Sequence, residues 1–320
     1  MTRAAPNQPA VRAALDELLT TALPRIVDLA VTTDCAELAD LASLGLELAP
    51  QPGLAAPLVG QMPVQSVRLA ALAATLTSQQ VTQNRADARG GEPGAANRLA
   101  VSLNNLSLRL AALGRQEEAL AAIQEAADLH RELAAARLPR YALRRRLMQL
   151  TVRPDLARSL NNLSLRLAAL GRQEEALAVS QEAVTIRREL AARWPDAYRY
   201  ELAGSLKDLS PPLAALGRRE EALAASQEAA EIYRELAAAR PDAFRPDLAR
   251  SLNNLSLRLG ELGRQGEALA AIQEAVTIHR ELAARWPDAY RYELEQSLRV
   301  VAWLEHGQEL SDASPREPKD

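Results

Sequence analysis

The sequence predicts an all-α protein in which antiparallel helix pairs stack into a solenoid. The first observation is a repeat, because the twenty residues SLNNLSLRLAALGRQEEALA occupy 102–121 and return unchanged at 159–178. A third copy at 251–270 differs at three positions. The second observation is the composition: aromatic residues make up only 3% of the 320 residues, so Leu, Ala, Val and Ile must fill the core. Such side chains favour closely packed helices over sheets.

Glycines at matching places define the repeat unit: Gly114, Gly171, Gly217 and Gly263. Their spacings of 57, 46 and 46 residues give a unit of 46, with 11 additional residues in the first interval, and such periods are typical of solenoids. Leucines at helical spacing precede each glycine and an alanine-rich segment follows it, which predicts two helices joined by a glycine turn. Trp194-Pro195-Asp196 is expected to end the second helix near Arg193, as Pro241 and Pro287 do in later copies.

The chain is predicted to contain five segments. They are an N-terminal helical region over 1–84, a flexible joint over 85–94, four repeats over 95–287, a capping helix over 288–310 and a disordered tail over 311–320. Amphipathic patterns in the first region predict helices over 8–22, about 34–48 and 63–83. This region is interpreted either as degenerate repeats or as a separate helical cap.

The run NLSLRLAALGRQEEALA resembles the tetratricopeptide repeat, in which a Leu-rich first helix, a glycine turn and an Ala-rich second helix form one unit. The long-repeat type of kinesin light chain and many bacterial proteins is the most similar, and the resemblance covers 95–293. It implies a right-handed superhelix, with Ala176 and Ala183 where the two helices approach most closely.

The chain departs from the tetratricopeptide pattern in three ways. Its unit is longer than the usual 34 residues. The aromatic positions of the pattern hold other residues, namely Ile123, Leu167, Ser180, Ser226 and Ile272. Pro211 and Pro212 lie in the first helix of the third unit, and each proline removes a backbone donor at a cost of about 3 kcal/mol. These prolines predict that the helix kinks or ends near Ser210.

Paired asparagines recur in the first helices, although Asn costs about 0.5 kcal/mol relative to Ala inside a helix. Two interpretations stay open: the amides bridge neighbouring repeats, or they hold a bound peptide on the concave face. The resemblance places Asn105, Asn162 and Asn254 where tetratricopeptide repeats contact a peptide backbone or carboxylate, and Asp208 replaces them in the third unit. The predicted peptide-binding set is Asn104, Asn105, Arg158, Asn161, Asn162, Lys207, Asp208, Arg250, Asn253 and Asn254.

The cations in this set indicate the chemistry of the partner. Arg158 and Arg250 lie four residues before Asn162 and Asn254, one helical turn away on the same face. Amides with a few cations favour an acidic segment or a C-terminal carboxylate. The alternative interpretation of this surface is an ordinary solvated helix face.

An Arg-rich insertion over 137–153 is unique to the first interval and supports a second hypothesis. Leu143, Leu147 and Leu150 form an apolar stripe opposite Arg144–Arg146, which predicts an amphipathic basic helix. Such a helix could make the chain an RNA-binding or acidic-partner-binding solenoid. The other interpretation is that the insertion lengthens a helix and packs on its neighbour.

The sequence gives little indication of a catalytic, cofactor-binding or metal-binding site. His130 and His279 occupy equivalent positions at which Arg187 and Tyr233 stand in the other copies, so no metal or general-base role is expected for them. The single cysteine, Cys35, excludes an intramolecular disulfide, and no phosphate-binding glycine motif occurs. An enzyme would require Cys35 and a histidine to meet in a pocket.

The charge and the hydropathy pattern limit the partners. A formal net charge of −3 argues against a general nucleic-acid binder. No apolar run approaches the length of a membrane span or a signal peptide, so a cytoplasmic protein is expected. The basic residues are almost all arginine, which is typical of a GC-rich bacterial genome. The expected function is a non-catalytic protein-interaction scaffold that binds a peptide segment or a partner domain, as a regulatory or sensor module of a bacterial signalling system.

Overall fold

A computed structural model describes residues 22–33, 35–48, 58–59, 69–136 and 142–306, with side chains described except at 45, 47–48, 142–150 and 306. The described residues are helical apart from short turns, and no strand occurs among them. They divide into two compact units, with the boundary between Asp155 and Leu156.

The first unit is a series of helices in which each packs against the next. Its helices are α1 (22–33), α2 (Ala36–Leu48), α3 (Ala70–Arg89), α4 (Ala95–Ala112) and α5 (Gln116–Ala135). Helix α3 packs against both α2 and α4, and α4 packs against α5. Buried Leu23, Val27, Leu46 and Leu72 join the first three helices in one apolar cluster. The α1 helix was not predicted, and the helix predicted over 8–22 lies outside the described residues except at its last position.

The second unit contains the repeated helix pairs. Helix α6 (Ala142–Ala169) enters it at Leu156, and α7 (Gln173–Arg193), α8 (Pro195–Ala215), α9 (Arg219–Ala239), α10 (Pro241–Glu261), α11 (Gln265–Arg285) and α12 (Pro287–His306) follow. From α7 to α12 each helix packs against the next, and the first helices α8, α10 and α12 also contact one another in sequence. The predicted all-α solenoid of antiparallel helix pairs is therefore confirmed within this unit, while the right-handed sense of the superhelix stays a prediction.

The predicted glycine turns are confirmed. Gly171 has a φ of 76°, a left-handed conformation that glycine adopts without a Cβ penalty, and the equivalent glycines have φ between 71° and 76°. The backbone N–H of Arg172 donates to the carbonyl oxygen of Leu167 at 2.9 Å, which satisfies a free acceptor at the helix end. Arg172 also pairs with Glu175 in the first turn of α7, where negative charge is favoured.

Pro195 follows the end of one helix where predicted, but Pro211 and Pro212 do not end another. Helix α7 ends at Arg193, and Pro195 is the first residue of α8, where its missing N–H costs nothing. Of the kink or end predicted near Ser210, the end is wrong, because α8 continues through Pro211 and Pro212 to Ala215, and the kink stays a prediction. Both prolines lie in the last turns of the helix, and the burial of Pro212 compensates for part of the cost of the lost backbone bonds.

Serines replace the aromatic residues of the tetratricopeptide pattern in two repeats and hold the helices of one pair together. The hydroxyls of Ser164 and Ser180 lie 2.5 Å apart, and the Ser226 hydroxyl donates to Ser210 at 2.8 Å. All four residues are buried, so these bonds satisfy polar atoms that would otherwise be costly inside the core.

The connection between α3 and α4 is shorter than the joint predicted over 85–94. Residues 85–89 are the last five residues of α3. In the turn that follows, Glu92 donates its backbone N–H to Asp87 at 3.1 Å, and Ala95 donates to Glu92 at 3.1 Å. The predicted domain boundaries as a whole stay predictions. The predicted tail over 311–320 lies outside the described residues, as do residues 307–310 of the predicted capping helix.

Candidate peptide-binding face

The first helices of the second unit present residues of matching register on an accessible surface. Positions 46 residues apart occupy equivalent places on α6, α8 and α10, and offsets of four and seven residues keep side chains on one side of a helix. We call this surface the first-helix face. It consists of Arg158, Asn162 and Leu165 on α6, Gly204, Asp208 and Pro211 on α8, and Arg250, Asn254 and Leu257 on α10. All nine residues are exposed or half-buried.

Arg250 is held in place by neighbouring side chains. Its guanidinium lies 2.6 Å from a carboxylate oxygen of Asp247, whose other oxygen accepts a hydrogen bond from the hydroxyl of Tyr200 at 3.1 Å. Burial lowers the pKa of Arg250, but the hydrogen bond and charge of Asp247 outweigh it, so the net shift is upward. The cation is thus fixed and fully charged at physiological pH.

Asp208 is the exception among the asparagine positions. Burial raises the pKa of its carboxyl, and the adjacent Lys207, whose ammonium nitrogen lies 3.6 Å from a carboxylate oxygen, lowers it by less. Ionisation of Asp208 in the third repeat therefore has a desolvation penalty, whereas the neutral amides of Asn162 and Asn254 have no such penalty.

The two asparagines of each pair have different surroundings. Asn161 donates a hydrogen bond from Nδ2 to the hydroxyl of Ser205 at 2.9 Å, which links α6 to α8. Asn104 is buried, and the Oδ1 atom of Asn253 is buried without a hydrogen-bond partner among the described residues. The bridging interpretation is therefore confirmed for Asn161, whereas the second asparagine of each pair is half-buried and accessible.

The first unit carries one comparable helix. On α4, Asn105 is half-buried and Leu108 is 43% exposed, at the register of Asn162 and Leu165. The site residues thus divide between the two units, and those of the second unit lie on neighbouring helices.

Sequence reasoning missed several residues around this face. Tyr200 and Asp247 hold Arg250, and the buried Tyr233 ring packs edge-on against Tyr200 with centroids 5.9 Å apart. Burial, reinforced by the charge of Asp247, raises the pKa of Tyr233. The available signal was the i, i+3 spacing of Asp247 and Arg250 on one predicted helix.

The other groups considered in the sequence analysis are the Arg-rich insertion, the single cysteine and the histidines. Residues 142–150 of the Arg-rich insertion are the first part of α6, and their side chains lie outside the described ones. Cys35 donates to Glu37 at 3.1 Å, and the ring of His279 bonds to the hydroxyl of Ser297 at 2.8 Å. Over the described ranges, no cluster of three or more possible metal ligands was found, and no helix is both long and apolar enough to span a membrane.

Stacked helix hairpins with a glycine turn and an accessible row of first helices define a helical-repeat protein of the protein-interaction scaffold class. Comparison with protein families specifies the repeat. The family model described as tetratricopeptide repeat matches residues 99–134, 156–192 and 248–284. A model described as anaphase-promoting complex subunit 5 matches 197–239, the segment between the second and third of these matches. These three segments are therefore tetratricopeptide repeats, as predicted. No curated protein matches it.

One solved structure shares this fold at low sequence identity, and two others are less similar. A variant of a putative kinesin light chain from Podosopora anserina, with nearly identical TPR-like repeats, superposes with a TM-score of 0.51 at 17% identity, covering 74% of this chain and 97% of that chain. BtubC (BKLC) from P. vanneervenii gives 0.48 at 16% identity, with coverage of 77% and 93%. A Rap protein complexed with competence and sporulation factor gives 0.45 at 13% identity, with coverage of 95% and 89%. At 17% identity the likeness to the first of these structures concerns the fold alone.

Proposed function

We propose that the chain is a non-catalytic scaffold whose first-helix face binds an extended segment of a partner protein. One observation carries this proposal: residues 46 apart place three rows of accessible side chains across α6, α8 and α10. The rows are cationic, amide-bearing and apolar in turn, except in the third repeat, where Gly204 and Asp208 interrupt the first two.

The rows fit the chemistry of an extended peptide. An asparagine amide offers both donors and an acceptor, which suits the N–H and C=O groups of a peptide backbone. Leu165, Pro211 and Leu257 offer apolar contact one turn further along the helices, where side chains of the segment would pack. Neighbouring helices lie about 10 Å apart and an extended chain rises about 3.3 Å per residue, so each repeat would contact about three residues.

The charges suggest where an acidic partner would place its carboxylates. Arg158 and Arg250 favour a carboxylate over the second and fourth repeats, since guanidinium binds carboxylate through paired hydrogen bonds. Asp208 disfavours one over the third repeat, and Lys207 offsets that repulsion only in part. We therefore propose a segment with acidic groups at its two ends or a free C-terminal carboxylate at one of them. The cytoplasmic location and the regulatory or sensor role in a bacterial signalling system are also proposed, from sequence character alone.

A displayed peptide library with free C-termini tests the proposal, because it samples acidic, apolar and C-terminal segments together. Peptides selected on the full chain are synthesised with a fluorescent label, and their affinity is measured by fluorescence polarisation. The variant Asn162→Ala/Asn254→Ala should weaken binding by about tenfold or more, since each lost amide contact contributes about 1 kcal/mol. The matched control is Gln181→Ala/Gln273→Ala, which removes two amides from exposed positions on the second helices. Equal affinity in both double variants would place the site elsewhere.

A further inference from the structure

The last described helix, α12, has one side that no other helix covers within the described part of the chain. It packs against α11 and α10, as every first helix packs on the preceding repeat. In the repeats, the opposite side of a first helix is covered by the second helix of its own pair. Leu298 shows the difference, because it is 40% exposed, whereas the equivalent Leu206 and Leu252 are 1% and 0% exposed.

The charges of α12 indicate what the missing cover would carry. In the third repeat, Arg199 pairs with Glu235 of its own second helix. In the fourth repeat, Arg245 pairs with Glu281 of its own second helix at 2.6 Å. Arg291 stands at the same register on α12, is exposed, and has no carboxylate partner among the described residues. A helix that covers α12 should therefore present a carboxylate to Arg291.

The uncovered side of α12 offers such a carboxylate to a copy of itself. Arg291, Leu298 and Glu305 are exposed and lie seven residues apart, so they share one side of the helix. Half-buried Leu294 and Val301 lie beside Leu298 on that side. Because Arg291 and Glu305 are equally distant from Leu298, a two-fold axis at Leu298 brings each Arg291 opposite Glu305 of the other copy.

We propose that α12 is an interaction surface for a second copy of this chain, with the two α12 helices antiparallel and centred on Leu298. The α12 helix of the second copy occupies the place that, in each repeat, is occupied by the second helix of the same pair. It buries Leu298 and supplies the carboxylate that Arg291 lacks. A 20-residue helix is about 30 Å long, and one helix pair buries less than a standard stable interface. The association is therefore weak, with a dissociation constant on the order of micromolar.

Sedimentation velocity of the full chain, from about 1 to 200 µM, tests this surface, since that range brackets a micromolar dissociation constant. Wild type should pass from monomer to dimer over the range. Leu298→Asp should stay monomeric, because it places two carboxylates at the centre of the contact. The matched control is Leu165→Asp, since Leu165 is 41% exposed on another first helix but outside the α12 surface, and this variant should dimerise like wild type. Circular dichroism verifies that both variants keep their helix content.

Charge reversal tests the antiparallel arrangement. Arg291→Glu or Glu305→Arg alone replaces two attractive contacts by two repulsive ones and should weaken dimerisation by about tenfold or more. A 1:1 mixture of the two single variants should dimerise again, because both contacts in the mixed dimer join opposite charges.

Three results would overturn the proposal. They are a wild type that is monomeric throughout, a dimer that Leu298→Asp leaves intact, and a mixture that fails to recover. The first result would point to another occupant of the α12 surface, such as residues 307–320.

Discussion

The replacement of Gly260 by alanine tests how the stack ends. Gly260 stands where the identical copies carry Ala111 and Ala168, and it faces the α12 helix. A Cβ atom at this position would lie 2.7 Å from Cδ2 of Leu304 and 2.7 Å from Cζ3 of Trp303. Ordinary carbon contacts are about 3.5–4.0 Å, so the α12 side chains would have to move by about 1 Å.

Two opposing effects decide whether Gly260→Ala raises or lowers the free energy of unfolding. Alanine in place of glycine in a helix stabilises by about 1 kcal/mol, whereas overpacking costs about 1–3 kcal/mol. Leu304 is buried, so it cannot swing into solvent to relieve the contact. The net effect is therefore about 0–2 kcal/mol, and since Leu304 cannot move aside we expect Gly260→Ala to lower the free energy of unfolding by about 2 kcal/mol and the melting temperature by up to about 6 °C.

Thermal unfolding followed by circular dichroism at 222 nm measures this effect. The matched control is Gly266→Ala, at another helical position where the repeat has changed to glycine, because nothing lies within 4 Å of its added Cβ. That variant should be neutral or more stable than wild type. In a Trp303→Ala/Leu304→Ala background, Gly260→Ala should become stabilising. A Gly260→Ala variant as stable as Gly266→Ala would refute the close contact between α10 and α12.

Three further changes test the packing and the charges. Burial, with a smaller contribution from Arg250, lowers the pKa of His279 to about 4 from its ordinary value of 6.5. Between these two pH values the unfolded chain binds a proton that the folded chain does not. The free energy of unfolding should therefore fall by about 3 kcal/mol as the pH drops from 6.5 to 4, and urea titrations should show this fall reduced in His279→Gln. Burial raises the pKa of Asp208, so its ionised form is destabilising; Asp208→Asn should raise the melting temperature at pH 7, and the gain should shrink as the pH falls. Ala176 is completely buried, and Ala176→Trp should cost at least about 1–3 kcal/mol by overpacking, so an unchanged melting temperature would contradict the assigned register.

The repeat boundaries could be predicted because local chemistry fixes them. Each turn glycine, such as Gly171, adopts the left-handed conformation after a first helix. Pro195 follows the end of one helix and is the first residue of the next. The prolines at 211 and 212 follow the same local rule, yet the helix continues through them. A rule for an isolated helix does not include the core contacts that Pro212 gains from tertiary packing.

The candidate site could be located from the sequence but not resolved in detail. The asparagine pairs stand out in an Ala-rich and Leu-rich helix, so their positions were visible. Which member of a pair bridges the repeats depends on how the helix is rotated against its neighbour, because adjacent residues point about 100° apart. The contact of Tyr200 with Asp247 joins residues 47 apart on different helices, and no spacing rule within one helix predicts it.

Site-specific photocrosslinking tests most directly whether the first-helix face is the binding surface. A photoreactive amino acid is placed at Leu165 or Leu257 on the first helices, and at Gln181 or Gln273 on the second helices, with a library-selected peptide present in each case. The peptide should crosslink from the two leucine positions and not from the two glutamine positions. Crosslinks confined to the second helices would show that the chain holds its partner on a different surface.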